Sequence, residues 1–181
     1  IGSVIASLEK AHAEGALFSN VKGHTIPVCG GLLSDHRKIA LALECELDEV
    51  SDHVVAALES QEKIEPKIVE NPAFKENVIT GDEVDLSKIP IPIHAPEDGG
   101  PFITAGVTIS QAHTGGRQNM SFQRMHIKEK NRTGVMINEW RHLKEFLNKA
   151  EKENRNLPIA VAVGVDPVIM MAAGIRTDLD E

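Results

Sequence analysis

The stretch from Ile64 to Pro101 constrains this chain more than any other, because it holds six of the nine prolines. Its centre, Ile89-Pro90-Ile91-Pro92-Ile93, cannot be helical, since proline lacks an N–H and steers the residue before it away from the α region. The same missing donors keep it out of the middle of a sheet. An extended connector over 64–101 is therefore predicted, and the parts before and after it must fold by different rules.

Before the connector the apolar spacing is helical. Val4, Ile5, Leu8 and Ala11 mark a short helix over Ser3 to Glu14, ended by Gly15. Leu17 to Val21 and Thr25 to Cys29 flank Lys22-Gly23-His24 and predict a hairpin. Ser34 or Asp35 can cap a helix through Leu43, and Asp48 or Ser51 another through Leu58. Residues 1–63 are expected to form a small N-terminal α/β unit.

After the Asp98-Gly99-Gly100-Pro101 turn the pattern becomes strand-like, over Ile103 to Ser110, Asn119 to Ile127 and Gly134 to Ile137. Turns at His113-Thr114-Gly115-Gly116 and Lys130-Asn131-Arg132 would make these an antiparallel meander. Glu139 to Asn154 predicts a helix with Trp140, Leu143, Phe146, Leu147 and Ala150 on one face. Pro158 to Gly164 reads as a buried strand, and Asp166-Pro167 opens a further helix through Ala173. The class is α+β, with a second domain over 102–181.

A net charge of -8 argues against a nucleic-acid partner, which would require clustered Lys and Arg. No apolar run approaches the roughly 18 residues of a bilayer span, so no stable membrane insertion and a cytoplasmic location are expected. Cys29 and Cys45 sit in or beside apolar runs without paired spacing, and are expected to be small buried residues. The chain opens at Ile1 and closes at Asp180-Glu181, and both ends are expected to lie inside a longer protein.

Candidate chemistry concentrates in Arg117, Gln118, Asn119, Ser121, Gln123, Arg124 and His126. Two readings stand: Asn119, Ser121 and Gln123 alternate outward into water, or the strand lines a site. Alternation places Arg124 with Met120 and Phe122, where a guanidinium must be paired or face an anion, and this favours a site. The eight histidines show no HExxH spacing, the pairs Gly30-Gly31 and Gly115-Gly116 are weak phosphate signals, and no Gly-x-Ser-x-Gly elbow occurs.

Several segments together resemble the UbiD family of decarboxylases. They are Gly81 to Leu86 with Ile89-Pro90-Ile91-Pro92, His94 with Glu97 to Thr104, Gly115 to Arg124, Gly164-Val165-Asp166-Pro167, and the spacing of Asn119, Arg124, His142 and Glu181. The resemblance implies a split β-barrel resembling flavin reductases, flanked by helices. It implies prenylated FMN as cofactor, with Asn119, His142 and Glu181 holding a divalent metal, Mn²⁺, that grips the flavin phosphate, and K⁺ nearby. Thr104, Ser121, Phe122, Gln123, Arg141, Ala173 and Ile175 would line the flavin, and Arg124 would hold the substrate carboxylate. A spacing of five puts Asn119 and Arg124 on opposite faces of a regular strand, so either a bulge separates them or Asn119 precedes the strand.

The activity so implied is reversible, non-oxidative decarboxylation of an unsaturated or aromatic acid, by default a 4-hydroxybenzoate-type quinone precursor. A prenylated-flavin synthase would supply the cofactor, and a C-terminal region beyond this chain would supply proton-donor carboxylates and build a homo-oligomer. The chain alone is then expected to be inactive. The competing expectation is a flavin- or phosphate-binding module without turnover.

Overall fold

A computed structural model of the chain describes residues 1–60, 64, 67–112, 115–116 and 118–175. The first unit comprises helix α1 (Gly2–Lys10), strands β1 (Ala16–Phe18) and β2 (Val28–Gly30), and helices α2 (His36–Leu43) and α3 (Val50–Glu59). β1 and β2 pair antiparallel, Ala16 opposite Gly30 and Phe18 opposite Val28. α1 lies so close to this hairpin that a Cβ on Gly30 would come within 2.2 Å of Ile5 Cδ1.

Asp35 caps α2, its carboxylate accepting from the Arg37 and Lys38 N–H groups. Ahead of α3 the cap is neither Asp48 nor Ser51. A 3₁₀ turn over Leu47–Glu49 starts the helix early, so the first free N–H groups belong to that turn and are met by a capping box between Glu46 and Glu49.

From Lys67 onward the proline-rich stretch is extended and broken by 3₁₀ turns at Ala73–Lys75, Gly81–Glu83 and Leu86–Lys88. It is tied to both halves. Leu86 N–H donates to the Lys130 carbonyl, and His24 Nδ1 lies 3.1 Å from the Lys88 carbonyl oxygen.

The remainder contains β3 (Phe102–Ile103), β4 (Val107–Gln111), β5 (Gln118–Phe122), β6 (Met125–Glu129), β7 (Arg132–Val135), α4 (His142–Lys152), β8 (Ile159–Ala162) and α5 (Pro167–Gly174). These strands form two three-stranded sheets, in the orders β3-β6-β7 and β5-β4-β8, not one meander. Each of the two long strands expected from the sequence is cut in two. Ile103 pairs with Met125 in one sheet, whereas Val107 pairs with Phe122 in the other, so both chains change sheet at the same level. The turn at Thr104-Ala105-Gly106 needs glycine, since a Cβ on Gly106 would lie 2.8 Å from Val161 Cγ1 and 3.0 Å from Ile103 Cγ2.

The fold is mixed α+β, and among the described residues the sheets do not close into a barrel. Ile103, Val107 and Met125 from the two sheets, Leu143, Phe146 and Ala150 from α4, and Ala173 from α5 are buried. α4 is shorter than the apolar run implied. It starts at His142, leaving Trp140 outside the helix and exposed, because Arg141 is extended and takes the N-cap position. β8 is not a buried strand: among the described residues it pairs only with β4, and Ile159 is exposed at the sheet edge. Cys29 is likewise exposed, since it sits on a two-stranded hairpin, and Cys45 is half-buried. Among the described residues no helix is long and apolar enough to cross a membrane.

Candidate functional site

Among the described residues β5 is an edge strand, and its polar face meets the start of α4. Asn119 and Ser121, two residues apart, point to the same side. There Asn119 Oδ1 lies 3.0 Å from Nδ1 of His142, the first residue of α4. Asn119 Nδ2 in turn donates to Ser121 Oγ at 3.4 Å, and the buried Gln123 donates to the same oxygen at 3.1 Å.

This meeting point opens into a cavity of about 510 Å³. Its walls are Gln118 to Ser121 from β5, Trp140 to His142 before and at the start of α4, Ala172 to Ile175 at the end of α5, and Leu58 from α3. Gln118, Asn119, Ser121, Arg141 and His142 supply its polar side chains, whereas Leu58 and the end of α5 supply only small and apolar ones. Among the described residues no carboxylate lines the cavity.

Of the residues proposed from the sequence, Asn119, Ser121, Arg141, His142, Ala173 and Ile175 share this cavity. Thr104, Phe122, Gln123 and Arg124 are not among its walls. Thr104 is exposed at the sheet-changing turn, and Gln123 is buried behind Ser121. Glu181, Arg117, His113 and Thr114 lie outside the described residues. Among the described residues no three His, Cys, Asp or Glu side chains converge as a metal site. The Asn119–His142 pair combines an amide oxygen with an imidazole.

Arg124 corrects the sequence reading. It is exposed, not held on an apolar strand face, because β5 ends at Phe122 and the chain turns into β6 at Met125. That break also dissolves the spacing conflict with Asn119: neither a bulge nor a loop position is needed, since the two residues do not share a strand. The guanidinium lies 3.9 Å from the centre of the Phe102 ring, and Asp98 Oδ1 is 3.7 Å from one of its nitrogens. His126 stacks on the same ring with centroids 4.3 Å apart, and its Nε2 sits 3.1 Å from the Gly99 carbonyl oxygen. Asp98 is anchored as well, by the Ala95 N–H at 3.0 Å. One side chain on an open corner is therefore fixed by a ring below and a carboxylate beside it.

Sequence reasoning missed the contributions of Leu58 and Trp140 to the cavity. Leu58 comes from another unit of the chain, and Trp140 was assigned to a helix face. It also missed His126 as the support of Phe102, a cross-strand pair that appears only once β3 is known to pair with β6.

Comparison with known proteins places this arrangement. Residues 67–181 match the family model described as UbiD, 3-octaprenyl-4-hydroxybenzoate carboxy-lyase Rift-related domain, and residues 1–58 match that of the N-terminal domain of the same carboxy-lyases. The chain belongs to the UbiD family of decarboxylases. It is 36% identical to anhydromevalonate phosphate decarboxylase of Methanothermobacter thermautotrophicus over 97% of this chain and 41% of that protein. The FMN complex of the UbiD-class enzyme HmfF from Pelotomaculum thermopropionicum superposes with a TM-score of 0.88 at 33% identity, over 97% of this chain and 40% of that one. An evolved dimeric form of HmfF, in complex with prFMN, gives the same TM-score over 97% of this chain and 41% of that one. The closed form of vanillic acid decarboxylase from Sedimentibacter hydroxybenzoicus, at 20% identity over 99% of this chain and 40% of that one, shares the fold with a TM-score of 0.89. The chain spans about two fifths of the length of these relatives.

Proposed function

We propose that this chain forms the cofactor-holding part of a prenylated-FMN-dependent enzyme that removes carbon dioxide, reversibly and without net oxidation, from an unsaturated or aromatic carboxylic acid. The observation that carries the reading is the convergence of Asn119 Oδ1 and His142 Nδ1, 3.0 Å apart at the cavity wall. Two donors so separated fit a shared cation, because adjacent ligands of an octahedral ion at ~2.1 Å lie about 3.0 Å from each other. An amide oxygen with an imidazole suits Mn²⁺ better than a thiolate-seeking ion. With Glu181 as a further ligand, these residues would hold the metal and, through it, the flavin phosphate.

A metal-bridged phosphate also reconciles an anionic ligand with a net charge of -8. Ser121, Arg141, Ala173 and Ile175 would line the bound group, with Thr104, Phe122 and Gln123 beside it. Prenylated FMN, when bound, would supply the electron sink that loss of carbon dioxide requires. Arg124 would hold the substrate carboxylate, its planar fork oriented in advance by Phe102 and Asp98. Besides a 4-hydroxybenzoate-type acid, the likeness to anhydromevalonate phosphate decarboxylase makes a phosphorylated acid a substrate to assay.

A second reading is a flavin- or phosphate-binding module without turnover, favoured by the lack of any carboxylate on the cavity wall among the described residues. The test is mass spectrometry and metal analysis of the full-length protein co-expressed with a prenylated-flavin synthase. The decarboxylase reading expects flavin phosphate and Mn²⁺ bound together, both lost in Asn119→Ala and His142→Ala, with turnover of an acid substrate. Bound cofactor without turnover of any acid would leave the binding module, and neither ligand bound would remove both readings.

A further inference from the structure

The face of β4 and β5 that carries Asn119 is unusually polar for a surface partly covered by a helix. Thr108 and Ser110 on β4 stand directly opposite Ser121 and Asn119, and Thr108, Ser110, Ser121 and Gln123 are all buried. Within this patch only Ser121 is reached by two side-chain donors, Asn119 Nδ2 and Gln123 Nε2. The hydroxyls of Thr108 and Ser110 find no partner among the described residues, so the patch is not one continuous network.

The two bonds at Ser121 have a chemical consequence. An asparagine amide presents either an oxygen or an NH₂ group to a given neighbour, and only the oxygen can ligate a cation. Whatever accepts from Nδ2 therefore decides that Oδ1 faces His142. Ser121 Oγ is that acceptor, and the Gln123 amide donates to the same oxygen, so with both lone pairs engaged the hydroxyl hydrogen points away from the two amides. We infer that Ser121 is a positioning residue for the metal: it locks the Asn119 amide with its oxygen towards His142, and Gln123 locks Ser121. The inference rests on the proposal that Asn119 and His142 bind Mn²⁺, and assigns the Ser121 side chain a role separate from lining the flavin.

The experiment is titration of the cofactor-free full-length protein with Mn²⁺ alone, followed by the loss of the free-ion EPR signal, with thermal unfolding recorded for every variant. Outer-shell substitutions of this kind typically weaken metal affinity by about 10–100-fold. Ser121→Ala is expected to fall in that range while still unfolding cooperatively, at a temperature lowered by the loss of the acceptor of the buried Gln123 amide, with Ser121→Thr restoring most of the affinity and Gln123→Leu giving a smaller loss. Ser121→Cys, similar in size but a poor acceptor, takes the place of the alanine variant if that does not fold. Asn119→Ala and His142→Ala separate the two levels of the argument. If both abolish Mn²⁺ binding while Ser121→Ala binds like the parent, the positioning role is overturned and the metal pair stands. If neither changes Mn²⁺ binding, the metal pair fails and the positioning role fails with it.

Discussion

Of the eight apolar side chains buried among the described residues, Ala40 alone precedes the proline-rich connector; the other seven lie between Ile103 and Ala173. The contrast is not one of composition, since the first unit is rich in Leu, Val and Ala. Leu41, Leu47, Val55 and Leu58 are all exposed, at 50% or more. That unit is held mostly by local devices, the Asp35 cap, the Glu46–Glu49 box and a hairpin of two three-residue strands, and by one distant contact, the packing of α2 on α5. The strand-rich half is held by side chains that meet between its sheets and α4. Burial, and not helix content, decides which half resists perturbation.

The largest expected effect lies in the packed half. Phe146, 4% exposed, should cost about 3–5 kcal/mol on replacement by alanine, whereas Leu41→Ala should stay within about 0.5 kcal/mol. Denaturant unfolding monitored by circular dichroism checks both, and a comparable loss from Leu41 would abolish the contrast. Next comes the corner where the strands change sheet. Gly106→Ala forces a Cβ against Val161 and Ile103 and should cost about 1–3 kcal/mol, while Gly2→Ala, with open space around it, should be neutral. A stable Gly106→Ala would mean that the two sheets can shift relative to each other.

How legible all this was in the sequence depended on the range of the interaction involved. The Asp166-Pro167 start of α5 and the Asp35 cap of α2 were readable because a cap is a local event. The polar strand residues Asn119 and Ser121 were recognisable as unusual, and the resemblance supplied His142. The division of both long strands at Thr104–Gly106 and Gln123-Arg124 was not readable. A period-2 pattern runs on unbroken whether or not the chain crosses to another sheet, and only the steric limit at Gly106 betrays the corner. Arg124 was misplaced for the same reason, and the edge position of β8 was hidden because an apolar run reads the same on an edge as in a centre.

A smaller effect of opposite sign tests how completely the packed half is satisfied. The Thr108 hydroxyl is fully buried and without a partner among the described residues, and an orphaned polar group of this kind is a standing cost. Thr108→Val keeps the shape and removes the group, so it should stabilise by about 1 kcal/mol. A loss of stability instead would mean that a buried water or a bound group satisfies the hydroxyl, and that the polar patch behind Asn119 is fuller than its side chains alone.

The smallest effect belongs to the first unit and shows itself as a pH dependence. The side-chain hydrogen bond from Arg37 holds the Asp35 carboxyl at about 2, below its ordinary value of 3.8, with the Lys38 and Arg37 backbone N–H groups acting in the same direction. A depressed carboxyl contributes stability that is fully present above its ordinary value and is lost as pH falls towards the folded one. Amide exchange of His36–Leu43 should therefore quicken relative to that of α4 as pH falls from 3.8 to about 2, after correction for the intrinsic pH dependence of exchange. Asp35→Asn keeps an oxygen to accept from Arg37 and Lys38 but carries no charge to titrate. It should retain the helix and lose the added acid sensitivity. If α2 in that variant still opens in acid, another titrating group causes the opening, and the charge of the Asp35 cap is not what makes the first unit sensitive to acid.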